Sequence, residues 1–292
     1  MPDFDAPQTE LVRPSTHQHL TEYLGTTIYD LAAFGSVSQL IDHQIRIGAQ
    51  EASFLVTDLT AVVEQFDQWE SLLPRVEPFY AVKSNPDPVI VRLLSALGCG
   101  FDCATQGEME LVLSGLGADL DFKDKPNFSE KMIYANPQKM LSHLKFAANN
   151  GVTRCTFDGE DELYKIAQVN HLLPENNKFQ AVLRLATDDK KSACRFSHKF
   201  GCPADEAKEL LEVAKELGVD VVGISFHVGS GCGDTEAYQT AFDDAFKVFS
   251  AAEELGLPAM SLIDIGGGFP GDNQGTYRQD APTFPKIANA VN

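Results

Sequence analysis

The chain has 292 residues, 43% of them hydrophobic, enough for one large domain or two ordinary ones with a substantial core. Lys and Arg number 23 against 42 Asp and Glu, a formal net charge of −19. Such a surface repels nucleic-acid phosphates and anionic lipid, so neither a nucleic acid nor a membrane is expected as a partner; it serves solubility and can attract a cationic substrate.

Met1 to Thr16 is acidic and Pro-rich, without the positive and apolar regions of a secretory signal or the basic character of a transit peptide. No apolar run reaches ~18 residues, so no transmembrane helix is predicted. Six scattered cysteines (99, 103, 155, 194, 202 and 232) form no CxxC. A zinc ribbon or thioredoxin-type site is therefore not suggested, no metal site is read, and a reduced cytoplasmic setting is expected.

Residues 1–50 are polar and mixed, and predict a loose tail followed by short elements. Ser53 to Leu59 reads as a strand. Thr60 to Leu73 has helical spacing, with Val63, Phe66 and Leu73 on the apolar side and Pro74 as the stop. From Pro78 the pattern is regular. Strands are predicted at Phe79–Lys83, Gly100–Ala104, Met132–Ala135, Arg154–Phe157, Ala181–Ala186, Val221–Val228 and Leu262–Ile265. Helices are predicted between them, over 87–97, 106–115, 137–149, 159–169, 204–217 and 235–255. Strand–helix alternation implies parallel strands with helices outside, and seven units in series suit a (β/α)8 TIM-type barrel better than an open sheet.

Two stretches break the rhythm: a charged loop from Leu120 to Lys131, and Asp188 to Pro203, longer than an ordinary connection and of a length that is often functional. Near the end Thr283 can cap a helix whose apolar residues Phe284, Ile287, Ala288 and Val291 follow at helical spacing. Seven strands without an eighth leave a barrel unclosed. The sequence is therefore expected to be a fragment of a longer chain, with a barrel over 51–292 that lacks its last strand.

In a parallel barrel the functional groups gather at the C-terminal ends of strands. Here those ends carry Lys83, Asp102, Asn136, Asp158, Arg184, His227 and Asp264. Phe79, Ala81 and Lys83 share one strand face by the period of two. A lysine inside a mostly apolar barrel loses its proton more readily, which frees the amine for a Schiff base; a snorkelling strand-end lysine is the plain alternative. Gly266, Gly267 and Gly268 let backbone amides approach an anion, or make only a tight turn. With Gly229-Ser230-Gly231 they give two glycine loops after late strands, the arrangement of many barrel phosphate sites. His227 is either a satisfied core residue or a ring placed to stack on a cofactor. For Asp102 and Arg184, taken singly, a structural ion pair is the default.

Longer motifs carry more information. Phe79-Tyr80-Ala81-Val82-Lys83-Ser84-Asn85 with Gly100-Phe101-Asp102-Cys103-Ala104-Thr105 resembles the cofactor-lysine region of the ornithine decarboxylase family. Leu183-Arg184-Leu185-Ala186-Thr187-Asp188-Asp189, with Cys194-Arg195 and Lys199-Phe200-Gly201, resembles the same family. So do Ser225-Phe226-His227-Val228-Gly229-Ser230-Gly231-Cys232 and Asp264-Ile265-Gly266-Gly267-Gly268-Phe269-Pro270-Gly271. The likeness is collinear from about residue 20 to the end.

That resemblance implies pyridoxal 5'-phosphate as cofactor, attached to Lys83, with His227 stacked on its ring. It implies that Ser230 and the Gly266–Gly268 backbone hold the phosphate, with Asp102, Glu108 and Arg184 around the cofactor. It further implies a barrel joined to a β-sandwich, to which residues 1–50 and the strand near Phe54 belong, and a cytoplasmic homodimer. The implied activity is decarboxylation of ornithine to putrescine, with antizyme as a regulatory partner by resemblance only. The family's Glu-Pro-Gly-Arg segment on the last barrel strand and its Cys-Asp pair in the sandwich have no counterpart here, so residues 1–292 alone are expected to be inactive or nearly so. The alternatives are a related arginine, lysine or diaminopimelate decarboxylase, a non-catalytic regulator resembling antizyme inhibitor, and a stand-alone barrel that binds pyridoxal phosphate.

Overall fold

A computed structural model of the chain describes residues 17–48, 52–115, 129–271 and 281–292. Three helices come first: α1 (His17–Leu24), α2 (Val37–Arg46) and α3 (Leu59–Leu72). A regular alternation follows: β1 (Phe79–Ala81), α4 (Pro88–Ala96), β2 (Gly100–Cys103), α5 (Gln106–Gly115), β3 (Met132–Tyr134) and α6 (Leu141–Asn149). It continues with β4 (Arg154–Phe157), α7 (Glu160–Asn170), β5 (Gln180–Arg184), α8 (Ala207–Leu217), β6 (Asp220–Ser225), α9 (Glu236–Glu254), β7 (Leu262–Asp264) and α10 (Phe284–Val291).

All seven strands are parallel and pair in chain order, β1 through β7. This is the predicted α/β architecture, a curled (β/α) barrel with seven strands where the full barrel has eight. The central strands are covered on both faces, as parallel sheets require. Phe101, Cys103, Met132, Cys155, Phe157, Ala181 and Leu183 have almost no exposed surface and belong to one continuous core.

The helix layer bridges the two outer strands of the sheet. α10 packs on both α9 and α3. Trp69 of α3 stacks on Phe284 of α10 at 5.7 Å, and meets the ring of Phe269, after β7, edge-on at 4.8 Å. The Trp69 indole also donates to the Val76 carbonyl at 2.8 Å, which ties α3 to the approach of β1.

Three sequence expectations require correction. Residues 53–58 form no strand, and Asp58 instead caps α3 by accepting the Thr60 amide at 2.9 Å. A strand needs a neighbour for its backbone groups; among the described residues none lies beside this segment, and Leu55 stays 96% exposed. Second, α6 begins at Leu141 rather than 137, because the residues after β3 form a loop held by Lys139.

Third, β1 stops at Ala81. A 3-10 turn over Val82–Ser84 follows, closed by the Ser84 hydroxyl donating to the Ala81 carbonyl at 2.7 Å. This local bond, with the Asn85-Pro86 turn behind it, outcompetes strand extension. Val82 is therefore buried, while the Lys83 side chain keeps 56% of its surface exposed. Lys83 stands at the barrel mouth rather than inside an apolar interior. Most of the predicted loop 120–131 lies outside the described residues; its end, Ser129–Lys131, is a short 3-10 turn. Thr283 occupies the cap position of α10, without a side-chain capping bond.

Candidate functional site

The C-terminal strand ends converge as the parallel barrel dictates. Lys83, on the turn after β1, places Nζ 3.5 Å from Oδ1 of Asp102 on β2. That oxygen is shut off from solvent and has no hydrogen-bond partner. Burial drives the Asp102 carboxyl above its ordinary value, while Lys83 pulls it down, Glu108 pushes it up and Arg184 pulls it down. Asp264, at the end of β7, is half-buried and is pushed up to about 6, chiefly by desolvation, against the hydrogen bond it accepts from the Gly266 amide at 2.8 Å. Arg184 at the end of β5 lies in the fields of Asp264, Asp158 and Asp102, and its guanidinium sits 4.9 Å from the Phe200 ring. Two half-buried carboxyls, one guanidinium and one amine thus share a mouth.

His227 follows β6. The Gly229 amide donates to its Nδ1 at 3.0 Å, and the Thr187 hydroxyl donates to its carbonyl at 2.8 Å. Burial first, then the Arg184 and Lys83 charges, hold the imidazole down at about 4, so at neutral pH it is an uncharged ring with its proton on Nε2.

Beyond that ring lies the glycine triplet. Gly266 and Gly268 have φ of +63° and +104°, which side-chain-bearing residues rarely adopt. A Cβ on Gly267 would lie 2.9 Å from His227 Nε2, and one on Gly268 2.7 Å from the Gly229 carbonyl oxygen. The two glycine loops are therefore adjacent, and only glycine fits between them. Tyr238 of α9 steadies the triplet by donating from its hydroxyl to the Gly267 carbonyl at 3.3 Å.

Glu108 and Ser230 take different places. Glu108, in the first turn of α5, accepts the Ala104 amide through Oε2 at 2.8 Å, so it shapes the β2–α5 corner and reaches Asp102 through its charge. Ser230 is exposed, and its carbonyl accepts the Cys194 amide at 3.0 Å. Sequence pattern places Asp264 at a strand end without giving it a role, and does not single out Tyr238 or Phe196, whose ring meets the His227 ring edge-on at 4.9 Å. For Asp264 a signal existed, an acid at a strand end directly before a glycine triplet; for Phe196 and Tyr238 none did.

This mouth gathers one amine, two acids and a glycine cradle at the C-terminal end of a parallel barrel. The chain belongs to the family of pyridoxal-dependent decarboxylases, matching its pyridoxal binding domain over residues 59–292. It is 46% identical over 240 residues to ornithine decarboxylase of Mus musculus, covering 82% of this chain and 47% of that protein. It is also 46% identical over 240 residues to antizyme inhibitor 2 of Xenopus laevis, covering 82% of this chain and 48% of that one.

Among solved structures, the arginine decarboxylase of Paramecium bursaria Chlorella virus superposes with a TM-score of 0.74 at 32% identity, over 87% of this chain and 62% of that one. Lysine decarboxylase from Selenomonas ruminantium superposes with a TM-score of 0.72 at 36% identity, over 88% and 61%. The chain spans about half the length of the curated relatives it matches. No helix among the described residues is long and apolar enough to cross a membrane.

Proposed function

We propose that this chain carries the pyridoxal-phosphate site of a decarboxylase that converts L-ornithine to putrescine. The observation that carries the reading is the convergence of Lys83, Asp102, Arg184, His227 and the Gly266–Gly268 cradle at one barrel mouth. The residues suit the cofactor. Lys83 is an accessible amine for its aldehyde carbon, and the neutral His227 ring offers a flat face. Amides of the Gly266–Gly268 loop not already bonded, those of Gly267 and Gly268, with Ser230, would take the phosphate.

When bound, pyridoxal phosphate supplies the electron sink for the charge left by the departing carboxylate. The chain's own residues do the rest. Asp102 holds the Lys83 ammonium at 3.5 Å. His227, kept neutral by burial and two cations, adds no positive charge beside the ring. Arg184 balances the Asp264 and Asp102 carboxyls.

Ornithine is favoured because the curated relatives named ornithine decarboxylase are 43–46% identical to this chain, against 32–37% for the solved arginine and lysine decarboxylases. The Thr187-Asp188-Asp189 run supports the same choice. The reading extends to a cytoplasmic homodimer with residues 1–50 associated with a sandwich domain. A second reading, a non-catalytic regulator that engages antizyme, is favoured by the equal identity to antizyme inhibitor 2.

The test is borohydride reduction and peptide mapping of protein purified from its source, with carbon dioxide release measured from ornithine, lysine, arginine and diaminopimelate. Cofactor fixed at Lys83 and fastest release from ornithine are expected. Cofactor trapped at another lysine refutes the site, faster release from another amino acid refutes the substrate, and no cofactor uptake establishes the regulator.

A further inference from the structure

The segment from Thr187 to Ser197 runs over the His227–Gly231 loop as a strap. Four hydrogen bonds tie them. The Thr187 hydroxyl donates to the His227 carbonyl at 2.8 Å, and the Ser192 hydroxyl to the Val228 carbonyl at 2.6 Å. The Ala193 amide donates to Gly231 at 3.2 Å, and the Cys194 amide to Ser230 at 3.0 Å. Beyond them the strap turns and lays the Phe196 ring against His227, centroids 4.9 Å apart and planes at 68°.

One side chain holds that turn. Asp189 is 2% exposed, although it lies in a long, charged surface connection. Its carboxylate accepts the amides of Phe196 and Ser197 and the Ser197 hydroxyl, the last two at 3.0 and 2.6 Å. Burial works to raise this carboxyl, and the bonds from Ser197 and Phe196 outweigh it, leaving it below its ordinary value. A buried carboxylate fully committed to one turn of its own loop would be costly as decoration.

We propose that Asp189 and Phe196 are positioning residues: Asp189 latches the strap, and the latched Phe196 fixes the plane and dryness of the His227 ring before any cofactor arrives. An edge-on aromatic contact is directional, so it orients the imidazole where a branched aliphatic side chain would only fill space. Gly267 closes the opposite side, where even a Cβ would come within 2.9 Å of Nε2. The ring is thereby held between Phe196 and the phosphate cradle. The consequence for cofactor binding rests on the function proposed above; the latch and the ring contact do not.

The experiment reads the His227 ring directly, in the chain without pyridoxal phosphate, by NMR titration of ring-labelled histidines. His227→Gln assigns its signal among the seven histidines. Arg184, Lys83 and Asp189 are the charged groups that act on it. In the unaltered chain the midpoint is expected near 4, with a through-space contact between the Phe196 and His227 rings. Phe196→Ala should raise the midpoint by at least one unit; Asp189→Asn should abolish the ring contact, while the loss of its charge, which favours the protonated ring, works against any rise of the midpoint. Phe196→Tyr should restore the contact and the low midpoint; Phe196→Leu should fall between.

A midpoint that stays near 4 in Phe196→Ala, or a ring-to-ring contact that survives Asp189→Asn, in chains that retain their thermal transition, would overturn the proposal. Should both variants fail to fold, the unaltered chain still decides: absence of the ring-to-ring contact overturns it, and its presence with the graded response of Phe196→Leu and Phe196→Tyr supports it. Borohydride mapping of Lys83 stands apart, so a wrong cofactor assignment and a wrong latch give different results.

Discussion

The backbone amide of Gly229 donates to Nδ1 of His227 at 3.0 Å, which leaves the imidazole proton on Nε2, the atom that faces Gly267. A backbone donor cannot change its protonation, so this bond sets the tautomer by geometry alone. The ring is then a fixed wall of the glycine cradle. Gly267→Ala should displace it, since the new Cβ would lie 2.9 Å from Nε2. A loss of pyridoxal-phosphate affinity of about tenfold or more is expected, the equivalent of about 1.4 kcal/mol, measured by equilibrium titration of the apo chain.

Stability against pH should show two opposing slopes. Asp264 is raised to about 6 when folded, so between its unfolded value of 3.8 and about 6 the folded chain holds the extra proton and stability falls as pH rises. His227 is lowered from 6.5 to about 4, so in that window the unfolded chain holds the extra proton and stability rises with pH. Each slope is about 1.4 kcal/mol per pH unit at most, and across the shared window they largely cancel. Asp264→Asn should unmask the rise and His227→Gln the fall. Denaturant melts at pH 4.5, 5.5 and 6.5 measure both; equal pH profiles in the two variants would contradict this account.

Glu162 on α7 should be intolerant of single substitution. Its carboxylate pairs with Lys139 at 3.0 Å with both side chains fully buried, accepts the Lys139 amide at 3.0 Å and also pairs with Lys165. Lys139 Nζ in turn donates to the carbonyls of Asn136 and Thr156. Glu162→Leu should cost about 3–5 kcal/mol because it strands a buried ammonium. Glu162→Leu with Lys139→Met should recover much of that loss, as read from urea midpoints.

Lys83→Ala should abolish borohydride-trapped cofactor while leaving the fold intact, because the side chain is more than half exposed and β1 ends before it. Loss of the ion pair should release the Asp102 carboxyl to climb further, since Lys83 is one of the groups that holds it down. The carboxyl signal of Asp102, followed by infrared difference or carbon NMR, checks that direction.

The sequence by itself determined the alternation, the parallel sheet and the strand-end placement of the site, because hydrophobic period and glycine spacing are local properties of the chain. Arg154–Phe157 and helix 106–115 were legible to the residue for that reason. So was the glycine triplet, in which Gly266 and Gly268 take the positive φ that favours glycine. Three matters were decided only in the tertiary structure. Ser53–Leu59 has strand composition but no neighbour to pair with, and pairing is not a local property. Lys83 was expected in an apolar interior and stands at an open mouth, because the Ser84 hydroxyl closes a turn that strand period cannot reveal. The raised Asp264, the lowered His227 and the Phe196 contact arise from groups far apart in sequence that the barrel brings within a few ångströms. Desolvation and charge coupling depend on distance in space, which the order of residues along the chain does not contain.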